Sequence, residues 1–195
     1  MKRLLTYERL VTSLLIAVAL ASCGAHQAIQ NEHATAGLVA IRTSMDPGMI
    51  ETLVFQMVNA ERKKNGLPRL EWDVALAELA RRHSHDMARR GVLSHTNSNG
   101  EDPTARAKKK GISVTKREGS VTRIGIAENV GTIPEGNLRG YGPVRSERDV
   151  ADAMMKNWLS SPQHRANILN PRLDVIGVGV SGDGRGTYYL TQDFR

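Results

Sequence analysis

The chain has 195 residues, 40% hydrophobic and 24% charged, which suits one globular domain with small appendages rather than several domains. Aromatic residues are only 4% and glycines number 18, so the core has to come from Leu, Ile, Val, Ala and Met. The net charge of +7 favours anionic neighbours such as lipid headgroups or acidic envelope polymers, yet so modest a surplus also serves ordinary solubility; no nucleic-acid partner is expected, and the protein is expected to be a monomer.

The chain opens on a basic segment carrying Lys2, Arg3 and Arg9, followed by the apolar run VTSLLIAVALAS, too short for the ~20-residue helix that crosses a bilayer. This reads as an export signal over residues 1–22. Its end, Leu20-Ala21-Ser22-Cys23, resembles the lipobox of bacterial lipoproteins, in which cleavage leaves the cysteine as a diacylated first residue. Cys23 is the only cysteine, and lipid attachment explains a single thiol outside a reducing compartment. Membrane attachment through lipid on Cys23 is therefore expected, at the outer membrane if the cell is Gram-negative. Residues 23–45 read as a tether, and the folded domain is expected over 46–195.

From Asp46-Pro47-Gly48, the residues Ile50, Leu53, Val54, Met57 and Val58 recur at helical spacing until Gly66 and Pro68. Asp73 caps a second helix with Leu76, Ala77, Leu79, Ala80, His83 and Met87 along one stripe and Gly91 near its end. A short third helix starts at Asp102-Pro103 and closes at Gly111. Residues 112–125 are polar and basic, IAENVG predicts a brief extended piece, and TIPEGNLRGYGP predicts a loop. Ser146 and Asp149 approximate a capping box for a fourth helix with Val150, Met154 and Trp158 inward, ending at Ser161-Pro162. DVIGVGVS then alternates and GDGRG turns it into TYYLTQDF, an antiparallel hairpin whose alternate glycines admit a helix or ligand closely.

Six histidines are present. His26 and His33 fall in the tether. His83 and His85 are two apart on a helix and point in different directions, so they cannot readily grip one ion. His95 lies in a loop after helix two, and His164 follows the break that ends helix four. Between them Glu128 is flanked by Ala127, Val130 and Gly131, where an unpaired carboxylate is costly. Two imidazoles and a carboxylate can hold Zn²⁺ with an open position, act as an acid and base pair, or tie loops together. No His-Glu-x-x-His spacing fixes two ligands on one helix, and no Gly-x-Ser-x-Gly elbow makes a nucleophile of Ser94, Ser160 or Ser161.

The segments NAERKKNGLPRLEWDVALAELARRHSHDMA, SH, AEN, NWLSSPQHRANIL, IGVGV and YYLTQDF, in this order from about Met49 to Arg195, resemble the bacterial branch of the CAP superfamily, also called SCP-like or pathogenesis-related-protein-like domains. The resemblance implies an α+β fold, a three-layer α-β-α sandwich with a small antiparallel sheet between helices. It also implies a cleft lined by two His and two Glu, matched here by His95, Glu128 and His164. Where the second Glu is expected after Trp158, this chain has Leu159, Ser160 and Ser161. Zinc at His95 and His164 is thereby weakened as an expectation. The stretch from Thr132 to Val144 reads as an insertion forming a lip of the cleft. Three functions follow: a lipid-anchored binding domain whose ligand site comprises His95, Glu128, His164 and Ser161 and takes a lipid or envelope glycan; a metal-assisted hydrolase or peptidase with the three charged residues as catalytic candidates; or a structural envelope protein docking through Arg106, Lys108, Lys109, Lys110, Lys116 and Arg117. The balance leans away from an enzyme.

Overall fold

The computed structural model describes residues 44–195. The expected signal, Cys23, His26, His33 and all of the tether except Ser44 and Met45 lie outside the described residues. Met45 belongs to the domain rather than to a tether: its side chain is buried and its N–H donates to the Tyr188 hydroxyl at 3.1 Å.

Asp46 accepts from the Gly48 N–H at 2.8 Å, and Pro47 occupies the first turn, where its missing N–H costs nothing. Helix α1 (Pro47–Lys64) therefore starts here, and Ile50, Val54 and Val58 are its buried stripe. After β1 (Glu71–Trp72), the Asp73 carboxylate accepts from the N–H groups of Ala75 and Leu76 and opens α2 (Val74–Arg90). Gly91, at φ 66°, closes it in the left-handed region that a glycine adopts without strain. Asp102 caps α3 (Pro103–Lys109) in the same way, through the Ala105 N–H at 2.7 Å.

The polar segment that follows is a hairpin, β2 (Thr115–Glu118) with β3 (Val121–Ile124). The piece expected to be brief is a full strand, β4 (Ala127–Pro134), because its partner is equally long. The expected loop divides accordingly: Thr132 to Pro134 belong to β4, and the rest forms a hairpin of β5 (Gly136–Leu138) and β6 (Gly142–Val144). That hairpin does not line the expected cleft. Glu128 and Pro134 stand at opposite ends of β4, about 20 Å apart at strand rise. The hairpin packs instead on α4 (Glu147–Ser160), where Lys156 lies over the Tyr141 ring and donates to the Gly140 carbonyl. Ser146 and Asp149 form the anticipated capping box of α4. After a single extended residue, Ser161, the chain enters a further helix, α5 (Pro162–Ile168), which carries His164.

The strands β7 (Val175–Gly182) and β8 (Thr187–Phe194) complete a four-stranded sheet of order β1-β7-β8-β4. Its three long strands are antiparallel and the short β1 adds in parallel to β7. Because side chains alternate along a strand, Ile176, Val178, Leu190 and Phe194 face one way, toward Ile50, Val54, Val150, Met154 and Trp158 of α1 and α4. Each such buried side chain contributes roughly 1.5–3 kcal/mol. The other face receives α2. A Cβ on Gly177 would come within 2.2 Å of the Ala77 nitrogen, and one on Gly179 within 2.1 Å of the Arg81 nitrogen, so two bare strand positions seat the helix backbone on the sheet. Glu51 of α1 joins both helical layers to β7. It is buried, pairs with Arg81 of α2 through three contacts of 2.8 to 3.0 Å, and accepts from the Val180 N–H. The result is an α-β-α sandwich.

Candidate functional site

The β4 edge of the sheet is open to side chains from both helical layers, and there the structure gathers most of the residues singled out from sequence. Glu128 projects from β4 on the α2 side, with its side chain only 1% exposed. One oxygen accepts from His95 Nδ1 at 2.7 Å, and the other pairs with the Arg106 guanidinium. Arg106 is itself buried on α3 and also donates to the His95 and Glu101 carbonyls, so one cation fixes both the carboxylate and the loop that carries His95. This corrects its placement among the solvated basic residues: sequence charge alone could not show that α3 turns Arg106 inward while Lys108 and Lys109 turn out.

His95 remains half exposed, and its Nδ1–H is committed to Glu128, which leaves Nε2 on the open side. The hydrogen bond and charge of Glu128 raise its pKa, favouring the imidazolium, although burial opposes this. His164 shows the opposite tendency. Burial, with the nearby His95 charge acting in the same sense, lowers its pKa, and its Nδ1 is buried with no hydrogen-bond partner. The two imidazoles are thus shifted in opposite directions.

The backbone around His164 is fixed by amides. Asn129 Nδ2 donates to the His164 carbonyl and to Gln192, while Asn167 Nδ2 donates to the Glu128 carbonyl and to Asn129 Oδ1. Ser161 links α4 to α5, and its hydroxyl makes no capping bond; among the described residues it makes no hydrogen bond to His95, Glu128 or His164.

Two further groups lie here: His83, read from the sequence as a residue of the helix stripe and not as a ligand, and Asp193, which was not singled out. His83 is buried, and its Nε2–H donates to the Ser94 carbonyl at 2.8 Å; that carbonyl fixes the tautomer, and burial keeps the ring neutral although Glu128 is 3.9 Å away. Asp193 stands directly opposite Glu128 in the β4–β8 register, fully buried. Burial first, and the Glu128 charge second, push its pKa well above the usual carboxylate range. Neither oxygen has a hydrogen-bond donor, and the shift favours the protonated acid. The available signal was strand alternation, which puts Tyr189, Thr191 and Asp193 on one face of an inward strand.

The donor set does not fit a zinc site of the expected kind. Both Glu128 oxygens are engaged, a guanidinium lies beside them, and among the described residues no three His, Cys, Asp or Glu side chains are placed to hold one metal ion. A cavity of about 280 Å³ adjoins the cluster through Arg106 and His83 and extends past Asp86, Asn97 and Glu101.

An α-β-α sandwich with a buried acidic residue between two histidines at its sheet edge defines a class of small domain rather than one reaction. Residues 55–194 match the CAP family, the cysteine-rich secretory protein family, and the chain belongs to it. Among curated proteins it is 31% identical to Bacillus subtilis YkwD over 134 residues, covering 69% of this chain and 43% of that one. It is also 31% identical to the B. subtilis membrane protein YlbC over 145 residues, covering 74% and 34%. The chain thus spans less than half the length of these relatives. The fold is shared with an SCP-domain extracellular protein of Bacillus anthracis (TM-score 0.58, 24% identity, 76% of this chain and 40% of that one). It is shared also with an outer surface protein of Borrelia burgdorferi (TM-score 0.58, 19% identity, 74% and 90%). Among the described residues no helix is long and apolar enough to cross a membrane.

Proposed function

We propose that the protein is an exported, lipid-anchored envelope domain that binds a small or extended ligand, a lipid or an envelope glycan, over His95, Glu128 and His164. The observation that carries this reading is the commitment of Glu128: with one oxygen on His95 and the other on Arg106, it is neither an open metal ligand nor a free base. What the cluster does present is the half-exposed His95 ring, held by Glu128, with the backbone beside it fixed through Asn129 and Asn167. Such an array suits recognition of hydroxyl or amide groups, and the adjoining cavity of about 280 Å³ gives an extended ligand room to continue. Export is supported by the apolar leader ending in Cys23 and by the extracellular and outer-surface descriptions of the two structural relatives.

Titration calorimetry with envelope lipids and glycan fragments tests the site. Binding is expected for the native protein and at least tenfold weaker binding for His164→Ala; absence of heat for both proteins across both ligand classes would sink the proposal. Anchoring has its own test. Cys23→Ala should move the protein out of the lipid-modified pool, seen as loss of labelled fatty acid incorporation, and unchanged incorporation would refute lipidation at this residue.

A further inference from the structure

Helix α2 carries His83, Asp86 and Arg90 at intervals of three and four residues, which sets them along one side of the helix. All three reach the loop that bears His95. His83 Nε2 donates to the Ser94 carbonyl at 2.8 Å, a terminal nitrogen of Arg90 donates to the Thr96 carbonyl at 3.0 Å, and the Asp86 carboxylate accepts from the Ser98 N–H at 3.0 Å. The backbone is thus held at every second residue from Ser94 to Ser98, and His95 lies between the first two of these points.

Asp86 and Arg90 act as a pair. Arg90 Nε donates at 2.9 Å to the same Asp86 oxygen that accepts from Ser98, and both side chains are mostly buried. Burial by itself would raise the pKa of Asp86, but the bonds from Ser98 and the charge of Arg90 bring it below the ordinary carboxylate value. The anchor is therefore charged at both ends, and hydrogen bonds of that kind are roughly twice as strong as neutral ones. Arg89 also approaches Asp86, at 3.6 Å, yet it is largely exposed and among the described residues makes no bond to the loop.

On the other side of the loop, Arg106 holds the His95 carbonyl and Glu128 holds the ring. A half-exposed ring gains little from packing while its ordering costs entropy, so its aim depends on the backbone to either side. From Thr96 to Gly100 the remaining bonds stay within the loop, through Ser94, Asn97 and Glu101. Among the described residues, Asp86 and Arg90 are what ties this stretch to the helical layer. We propose that Asp86 and Arg90 are positioning residues for His95, pinning the chain that follows it so that the ring keeps its bond to Glu128. Asp86, Ser98 and Arg106 also line the cavity of about 280 Å³, so the side chains that aim the ring shape the cavity wall as well. The inference rests on the reading of His95 as a ligand-binding group, but its test needs no ligand.

The test is NMR spectroscopy of the isotope-labelled full chain in detergent micelles, following the His95 imidazole, whose signals are identified by their disappearance in His95→Gln. In the native protein the Nδ1 proton held by Glu128 should give a resolved downfield resonance. It should be lost in Asp86→Ala, which frees both Ser98 and Arg90, and in Arg90→Gln, whose shorter amide cannot span from Asp86 to Thr96. Arg89→Gln, which alters a contact of Asp86 but none of the loop, should keep it. The amide signals of β7 and β8 show whether each variant is folded. Arg90→Gln, at the partly exposed end of α2, keeps the test open should Asp86→Ala fail to fold. Retention of the resonance in both folded variants, or its loss in Arg89→Gln as well, would overturn the proposal, and so would its absence from the native protein. Loss in one variant alone assigns the role to that residue. Calorimetry separates this inference from the reading beneath it: if His95 binds no ligand, the native protein gives no heat whatever the spectra show, whereas failed positioning leaves Arg90→Gln with native affinity.

Discussion

Glu128 is surrounded by groups that compete for its charge. Arg106 and His95 stabilise the carboxylate, while burial and the Glu128 charge shift Asp193, opposite on β8, toward the protonated form. The pH dependence follows from the directions of these shifts. Asp193 has a folded pKa raised well above 3.8, so its contribution to stability is complete below about pH 4 and is lost as pH rises through the folded value. His95, also raised, acts in the same sense from about pH 6.5 upward. Asp193→Asn retains the shape and a donor toward Glu128 without the ionisation. Its thermal midpoint should rise relative to the native protein as pH increases from 5 to 8, and a constant difference across that range would show that Asp193 does not titrate there. His95 and Glu128 could be picked from the sequence because loop placement and an acid in an apolar stretch are local features, and His164 because it follows the Ser161-Pro162 break. Arg106 could not, since a helical charge run carries no mark of which member turns inward.

At the scale of elements, the seating of α2 on β7 is the most exacting fit. Adding one methyl group at Gly177 would place Cβ 2.2 Å from the Ala77 nitrogen and the Leu76 carbonyl carbon, backbone atoms that cannot rotate aside. Gly177→Ala should therefore destabilise by about 2–3 kcal/mol or more, as overpacking typically costs about 1–3 kcal/mol where side chains alone must yield. Denaturant titration checks it, and a loss below 1 kcal/mol would mean that α2 is free to slide. The displacement would also reach His83 on the same helix, and through Ser94 the loop bearing His95. The alternating glycines of β7 made a close-approaching helix legible in advance. The lengths of β4 and the separate helix α5 were not, because β4 is extended by pairing with β8 and α5 is restarted by Pro162 after one extended residue.

For the molecule as a whole, contacts between distant parts of the chain hold the layers in register. Arg62 is the clearest case: wholly buried in α1, it donates to Pro68 nearby and to Ile168, Asn170 and Leu173 more than one hundred residues away. Burial lowers its pKa, with Asp174 opposing, yet the guanidinium stays charged. Lysine has one head where arginine has a planar fork, so Arg62→Lys leaves several carbonyls without donors and should cost about 2–5 kcal/mol in denaturant titration. A cost under 1 kcal/mol would show that solvent replaces those bonds. The sequence alone determined the elements whose causes are local: caps at Asp73, Asp102 and Ser146, helical stripes, the β7–β8 hairpin and, by ordered motifs, the family. Only the tertiary structure decided that Arg106 and Asp193 join Glu128, that the β5–β6 hairpin stands far from it, and that Asp86 and Arg90 hold the loop bearing His95. These outcomes depend on strand register and on which face of a helix meets the sheet, and neither is set by neighbours in the chain.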